Sequence, residues 1–327
     1  TLIVVPIYFF FKLNGIVLAL VFSSLVPLVL NISYTKKINL SKVKITIKEG
    51  FFGGIEMFKL GLFTVLTTLL TQATMYYVRI LISEDLGLES VGYFAVATTL
   101  AVSYMGVIFT SIATDYFPKL SAINKDNEAV NVAVILQTKI VLLLGTPLIL
   151  VMYTFSEFII PLLYSKEFLG SFPVLMWLLL SVFLRLIGFP IGYVFLAKGK
   201  KSLFIFTQSL WNAFFLIFVL ISQMNNANLE GIGMAFAGAY FIGSLVNIIL
   251  IKKITNLKYD KITTKYILLF SVIILTYFFI SINYTGFYFI LFKVLCLILF
   301  FIYCLKQLEQ LINVNLLELI KSKLFKN

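Results

Sequence analysis

Arg185 has the most chemistry to offer in this chain. It lies 11 residues into an apolar run from 174 to 197 that contains no acidic residue. A cation at that depth of a membrane helix costs about 2.5–3.5 kcal/mol on insertion scales. It must face a polar chamber or find a partner on another helix. In a chamber the guanidinium suits phosphate, because its planar fork makes paired, charge-assisted bonds to phosphate oxygens. The alternative is a structural arginine bonded to carbonyls between helices. Gly188, Pro190 and Gly192 follow in the same run. Pro190 frees the carbonyl of Leu186, and the glycines loosen the helix. A span interrupted by Gly and Pro points to the working helix of a transporter, so the three form a candidate hinge. Ordinary membrane-helix Gly and Pro is the other reading.

The remaining polar residues in apolar runs are fewer. Arg79 stands three residues from the end of a run over 60–82, where it either snorkels to the interface or lines the chamber. Thr64, Thr67, Thr68 and Thr71 recur at helical spacing, with Gln72 beside them. They read as a sugar-facing wall of hydroxyls and amide, or as interhelical hydrogen bonding. Gln208, Ser209 and Asn212 form a second patch open to the same two readings. Lys293 is close enough to a run's end to snorkel, and Asp115 lies just past a helix end, either solvated or coupling a cation. The candidate substrate-binding set is Arg185, Arg79, Gln72, Thr68, Gln208 and Asn212. The chain has no histidine, and Cys296 and Cys304 share one late apolar run without CxxC spacing. No catalytic residue, metal site or cofactor is expected.

The elements that position these residues follow from composition. The chain is 61% hydrophobic and 12% charged, against about 45–50% and 25% in soluble domains. Its apolar runs come in blocks of roughly 20, the length of a bilayer-spanning helix. They lack the alternation of barrel strands. The expected fold class is an all-α polytopic membrane protein. Nine complete spans are predicted at 15–34, 60–82, 91–113, 132–153, 174–197, 203–223, 231–251, 266–282 and 286–304. The net charge of +12 comes from lysines clustered in alternate loops, among them Lys36, Lys37, Lys42, Lys44, Lys198, Lys200, Lys201, Lys252 and Lys253. That pattern argues against a nucleic-acid partner and, by the positive-inside rule, places those loops and the C-terminus in the cytoplasm. The opposite loops carry Lys12 and Lys166 against Glu84, Asp85, Glu89, Glu157, Glu167 and Glu230. Residues 305–327 read as an amphipathic tail on the inner leaflet.

One helix is written twice. The stretch from Asn14 to Lys37 and that from Glu230 to Lys253 share Gly15/Gly231, Ile16/Ile232, Ala19/Ala235, Asn31/Asn247, Ile32/Ile248 and a closing Lys-Lys. Counting six spans onward from the first copy reaches the second, so the two share an orientation and a parallel repeat about the membrane normal is expected. The architecture is then two six-helix lobes. Residues 1–37 are the last one and a half helices of an N-terminal lobe, and 38–59 are a cytoplasmic linker. Residues 60–253 are a complete C-terminal lobe, and 254–304 an additional helix pair. The chain reads as a fragment lacking roughly 160 upstream residues, from the repeat offset.

The order and spacing of four blocks resemble a known family: "YYVRILISEDLGLESVGYF" (76–94), "DYFPKLS" (115–121), "LLYSKEF" (162–168) and "RLIGFPIGYVFLAKGK" (185–200). The chain resembles the O-antigen translocases, the lipid-linked oligosaccharide flippases of the multidrug/oligosaccharidyl-lipid/polysaccharide exporter superfamily. The resemblance covers roughly residues 1–253. It implies a central cavity between two lobes, alternating access, and an undecaprenyl-pyrophosphate-linked glycan as substrate. It further implies work in the bacterial cytoplasmic membrane for surface polysaccharide assembly, beside a polysaccharide polymerase and other assembly proteins. The additional helix pair departs from the twelve-helix pattern of most members. Two other functions compete with this one. A small-molecule multidrug exporter of the same superfamily fits less well with a central arginine and no buried acid. A membrane glycan polymerase or ligase should carry a long external loop, and the longest here is 154–173.

Overall fold

The computed structural model describes residues 7, 11, 15–35, 46–225, 228–284 and 286–312. The described residues are helical with short connections and contain no strand. In chain order the helices are α1 Gly15–Thr35, α2 Ile47–Thr98, α3 Tyr104–Ala122, α4 Asn127–Leu163, α5 Phe172–Ala197, α6 Lys201–Met224, α7 Leu229–Thr255, α8 Lys261–Asn283 and α9 Phe287–Ile312. Eight helical stretches are long and apolar enough to cross a membrane, with Gly61–Ala122 counted as one although it covers two predicted spans. The protein is an all-α polytopic membrane protein.

Two compact units divide the chain, Thr1–Lys59 and Leu60–Asn327. In the first, α1 is exposed along most of its length and buries only Gly15 and Ala19. The second unit is organised around α5, which packs most extensively on α7 and then on α4. A chain this apolar has no clear inside face to read from periodicity. α5 is central because it is almost wholly apolar and keeps Ser181 and Gly188 at buried positions, where small residues allow close helix contact. α6 packs along α7, and the additional pair α8 and α9 packs on α4, with α8 also touching α5.

Boundaries follow local chemistry. Asp126 caps α4 by accepting from the N–H groups of Glu128 (2.8 Å) and Ala129 (3.1 Å). Asn228 caps α7 through the N–H of Gly231, and Asp260 caps α8 through that of Thr263, at 2.6 and 2.8 Å. Asn256 ends α7 in the left-handed conformation, with φ 57°. The loop expected at 83–90 is instead a sharp kink at Gly87, whose φ of 82° and ψ of 166° suit only glycine. The chain therefore turns on one residue, with helix on both sides.

Between α2 and α3 lies a π-helical turn, Thr99–Ser103, packed on α5. Thr98 and Thr99 each turn a hydroxyl back onto the helix, to Phe94 O at 2.9 Å and Ala95 O at 2.8 Å. Such back-bonding weakens the regular ladder. The expected amphipathic tail begins differently. Residues 305–312 continue α9, Leu308 is buried, and Gln307 Oε1 accepts from the Tyr266 hydroxyl at 2.5 Å. The rest of that tail, residues 313–327, and Lys36 and Lys37 of the repeat lie outside the described residues.

Candidate functional site

Helix α5 buries most of its surface, and in its C-terminal half the less buried positions beyond Leu184 fall on one stripe: Arg185, Phe189, Gly192, Tyr193 and Leu196. Steps of three and four residues keep them on one face. Arg185 is part-exposed in this stripe. Its guanidinium carbon stands 4.7 Å from the ring centre of the buried Phe109 on α3. A cation–π contact is worth about 2 kcal/mol when desolvated, less than the insertion cost of about 2.5–3.5 kcal/mol. The ring accepts no conventional hydrogen bond, so the contact leaves the five N–H donors of the group uncommitted. Among the described residues no carboxylate lies within ion-pair distance of Arg185 and no hydrogen bond holds it. Water or a ligand can supply the remaining stabilisation.

Aromatic side chains continue from Arg185 toward the C-terminal end of α5. Phe189 packs on Phe109 at 4.8 Å and on Tyr193 at 5.1 Å. Tyr193 meets Tyr116 and Phe117 of α3 at 6.2 and 6.0 Å. The Tyr116 hydroxyl donates to Pro190 O at 3.2 Å, so α3 braces the helix at its proline. At the end of α5, Lys198 donates to Asn124 O (2.6 Å) and Asn127 Oδ1 (2.7 Å) and ties the α3–α4 turn down. Burial first, and then repulsion from Lys200, lower its pKa below the ordinary lysine value.

The candidate hinge separates into three roles. A Cβ on Gly188 would stand 3.2 Å from Ser244 Oγ of α7, which itself donates to Leu184 O at 3.2 Å. Gly188 is a close-approach point between helices. Pro190 removes one backbone donor, yet α5 runs unbroken past it. Gly192 alone of the three faces open space, with no neighbouring atom within 4 Å of where a Cβ would stand.

The hydroxyls of α2 divide between two faces. Thr67 and Thr74 are buried, and Thr71 Oγ1 accepts from Asn212 Nδ2 of α6 at 3.3 Å. Asn212 is 2% exposed, also donates to Gln208 O at 2.8 Å, and leaves Oδ1 without a partner. Thr68, Gln72, Tyr76 and Arg79 are exposed on another face of α2. Gln208 is part-exposed on α6. Among the described residues no hydrogen bond or ion pair joins Arg185 to Arg79, Gln72, Thr68, Gln208 or Asn212. Asp115 is exposed and pairs with Lys119 at 2.6 Å.

One polar surface escaped sequence reasoning. Ser103, Thr110, Ser111 and Thr114 are exposed along one face of α3 and its preceding turn, interrupted by Val107. Each of Thr110, Ser111 and Thr114 donates to its own helix backbone at 2.8–2.9 Å, which keeps the hydroxyl oxygen's lone pairs outward. The available signal was the density of hydroxyls at 110–114, directly after Phe109. Lys293 also departs from expectation. It does not snorkel; it is buried within the protein.

The four sequence blocks meet in pairs. Tyr93 of the first packs on Phe168 of the third at 6.1 Å, and Tyr116 and Phe117 of the second pack on Tyr193 of the fourth. Over 158 residues the chain is 27% identical to the teichuronic acid biosynthesis protein TuaB of Bacillus subtilis (strain 168). That match covers 47% of this chain and 32% of TuaB, so the chain spans about a third of its relative. No solved structure matches. The sequence pattern of a family described as polysaccharide biosynthesis protein matches residues 2–173, ending just inside α5. More than half of the chain is matched, and it belongs to the polysaccharide biosynthesis protein family.

Proposed function

We propose that the protein moves undecaprenyl-pyrophosphate-linked oligosaccharide repeat units across the bacterial cytoplasmic membrane by alternating access, for surface polysaccharide assembly. Its C-terminus then faces the cytoplasm, and a polysaccharide polymerase and other assembly proteins are its partners. The observation that carries this reading is Arg185, a cation on the open stripe of the most buried helix, backed by Phe109 with its donors free. A chamber wall of that kind takes the pyrophosphate, and the exposed Thr68, Gln72 and Arg79 supply further polar contacts. The hydroxyl face of α3 adds acceptors for sugar hydroxyls. The lipid tail stays in the bilayer. Gly192 is the part of the hinge free to flex as the lobes rock. Direction comes from differential binding of the head group in the two states, aided by consumption of the product. The absence of a buried carboxylate partner near Arg185 among the described residues disfavours a cationic drug as cargo. No covalent chemistry is assigned to the protein.

Deleting the gene and labelling lipid-linked repeat units leaflet by leaflet tests the proposal. They should accumulate on the cytoplasmic face, and an Arg185→Ala variant with normal insertion should reproduce that accumulation. Normal leaflet distribution in the deletion strain would refute it.

A further inference from the structure

A second cation lies buried far along the chain from Arg185. Lys293 sits six residues inside α9, about 9 Å along the axis from its first residue, and is 7% exposed. Its ammonium has three donors. The two contacts it makes are long and neutral, to Tyr153 O and Ser281 Oγ, both at 3.4 Å. Ser281 Oγ also donates to Tyr153 O at 3.3 Å, so that carbonyl is shared. Among the described residues no carboxylate lies within ion-pair distance of Lys293. A buried ammonium with only long, neutral hydrogen-bond contacts is incompletely compensated for its lost hydration.

The lysine lines a cavity of about 370 Å³ between the end of α4, the start of α5 and the α8–α9 hairpin. Ser156, on the same wall, is 1% exposed, and its Oγ has no partner. One unsatisfied hydroxyl and one under-satisfied cation thus share a cavity. A phosphate supplies acceptor oxygens for both. Glu157 is exposed and lines the same cavity, outside ion-pair distance of Lys293 but close enough to attract its charge. An anion alone would meet it unfavourably, whereas an anion carrying an amine would complement it. The rim is apolar and open, with Phe158 69% and Tyr284 45% exposed, and Phe287, Tyr288 and Leu291 in the first turns of α9 are exposed too. Acyl chains have a surface to lie on there, and free phosphate has no use for it.

We infer that this cavity holds the headgroup of an amine-bearing phospholipid, its phosphate on Lys293 and Ser156 and its amine on Glu157. The site fastens the additional helix pair to α4 through the lipid. It does not depend on the transport reading, since none of its residues belongs to the Arg185 surface.

Native mass spectrometry of the purified whole protein, titrated with phosphatidylethanolamine, phosphatidylglycerol, phosphatidylcholine or inorganic phosphate, tests this. Wild type should retain one phosphatidylethanolamine in preference to the other lipids. Loss of a charged hydrogen-bond partner should weaken retention at least about tenfold in Lys293→Gln. Lys293→Arg should restore part of it. Glu157→Gln should bring phosphatidylethanolamine down to the level of phosphatidylglycerol. Should Lys293→Gln fail to fold, Ser156→Ala, which removes only the buried hydroxyl, should still weaken retention. Equal retention in wild type, Ser156→Ala and Lys293→Gln would overturn the proposal. So would equal binding of all three lipids, or competition by inorganic phosphate at the same phosphorus concentration, which would mark a free-anion site.

Discussion

Asp260 provides a quantitative test of how the additional helix pair is held. Its carboxylate accepts from the N–H of Thr263 at 2.8 Å and pairs with Lys139 Nζ of α4 at 2.6 Å. Lys139 is 11% exposed and Asp260 41%. The α7–α8 connection is tied to α4 again where Asn131 Nδ2 donates to Thr255 O at 2.9 Å. Removing an N-cap costs about 1 kcal/mol. The pair lies between an exposed bridge at about 0–1 kcal/mol and a broken buried one at about 3–5 kcal/mol; the exposure of Asp260 sets it near the lower end, at about 1–2 kcal/mol. Asp260→Ala should therefore cost about 2–3 kcal/mol. Asp260→Asn should cost about 1–2 kcal/mol, because asparagine still caps. Acid sensitivity supplies an independent reading. Burial pushes the Asp260 carboxyl up, but hydrogen bonds from Lys139 and Thr263 outweigh it and hold the net pKa below the ordinary value. A depressed folded-state pKa contributes stability that is present above the unfolded value, near 3.9, and lost as pH falls through the folded one. Wild type should thus lose stability below about pH 4 more steeply than Asp260→Asn. Hydrogen exchange over 261–312 and thermal unfolding in detergent, from pH 7 to pH 3, would measure both effects. Unchanged exchange in α8 and α9 for both variants, or identical acid profiles, would refute the clamp.

Other expectations follow from single positions. Gly87→Ala should destabilise by about 1–3 kcal/mol, since a side chain is strained at φ 82°, measured as a drop in thermal midpoint. Gly192→Ala meets no neighbour, so folding should be unchanged or slightly improved; reduced translocation with normal insertion would identify it as a flexing point, and full activity would remove it from the hinge. Asn212→Leu should cost no more than about 1 kcal/mol, because two donated bonds are lost while a buried, unpartnered Oδ1 is removed. The same variant should translocate normally if the residue only joins α2 to α6; loss of transport in a stable variant would return Asn212 to the substrate.

The spans were legible because an apolar run of roughly 20 residues has few alternatives to a membrane helix. What the runs could not show was direction. With lipid outside and protein inside both apolar, Thr68 and Thr71 look alike in sequence, yet one is exposed and the other faces Asn212. The kink at Gly87 was hidden because a single glycine replaces a whole loop, and the acidic residues around it read as a connection. The π-helical turn was hidden because the hydroxyl-to-backbone bonds of Thr98 and Thr99 beside it are ones any helical threonine pair could make. Lys293 was expected at the surface because its distance from a helix end permits snorkelling; packing of α8 and α9 against α4 decides otherwise. Arg185 stood out from sequence because charge in an apolar run has few explanations, but its cation–π contact with Phe109 required the tertiary contact between α3 and α5.

The central claim, that Arg185 grips a phosphate, is tested most directly by binding. Undecaprenyl pyrophosphate should be titrated into the purified whole protein, wild type and Arg185→Ala, with thermal stability matched. Loss of the paired, charge-assisted bonds should weaken binding at least about tenfold, with Arg185→Lys in between because it lacks the fork. Equal affinity in all three proteins would contradict the account.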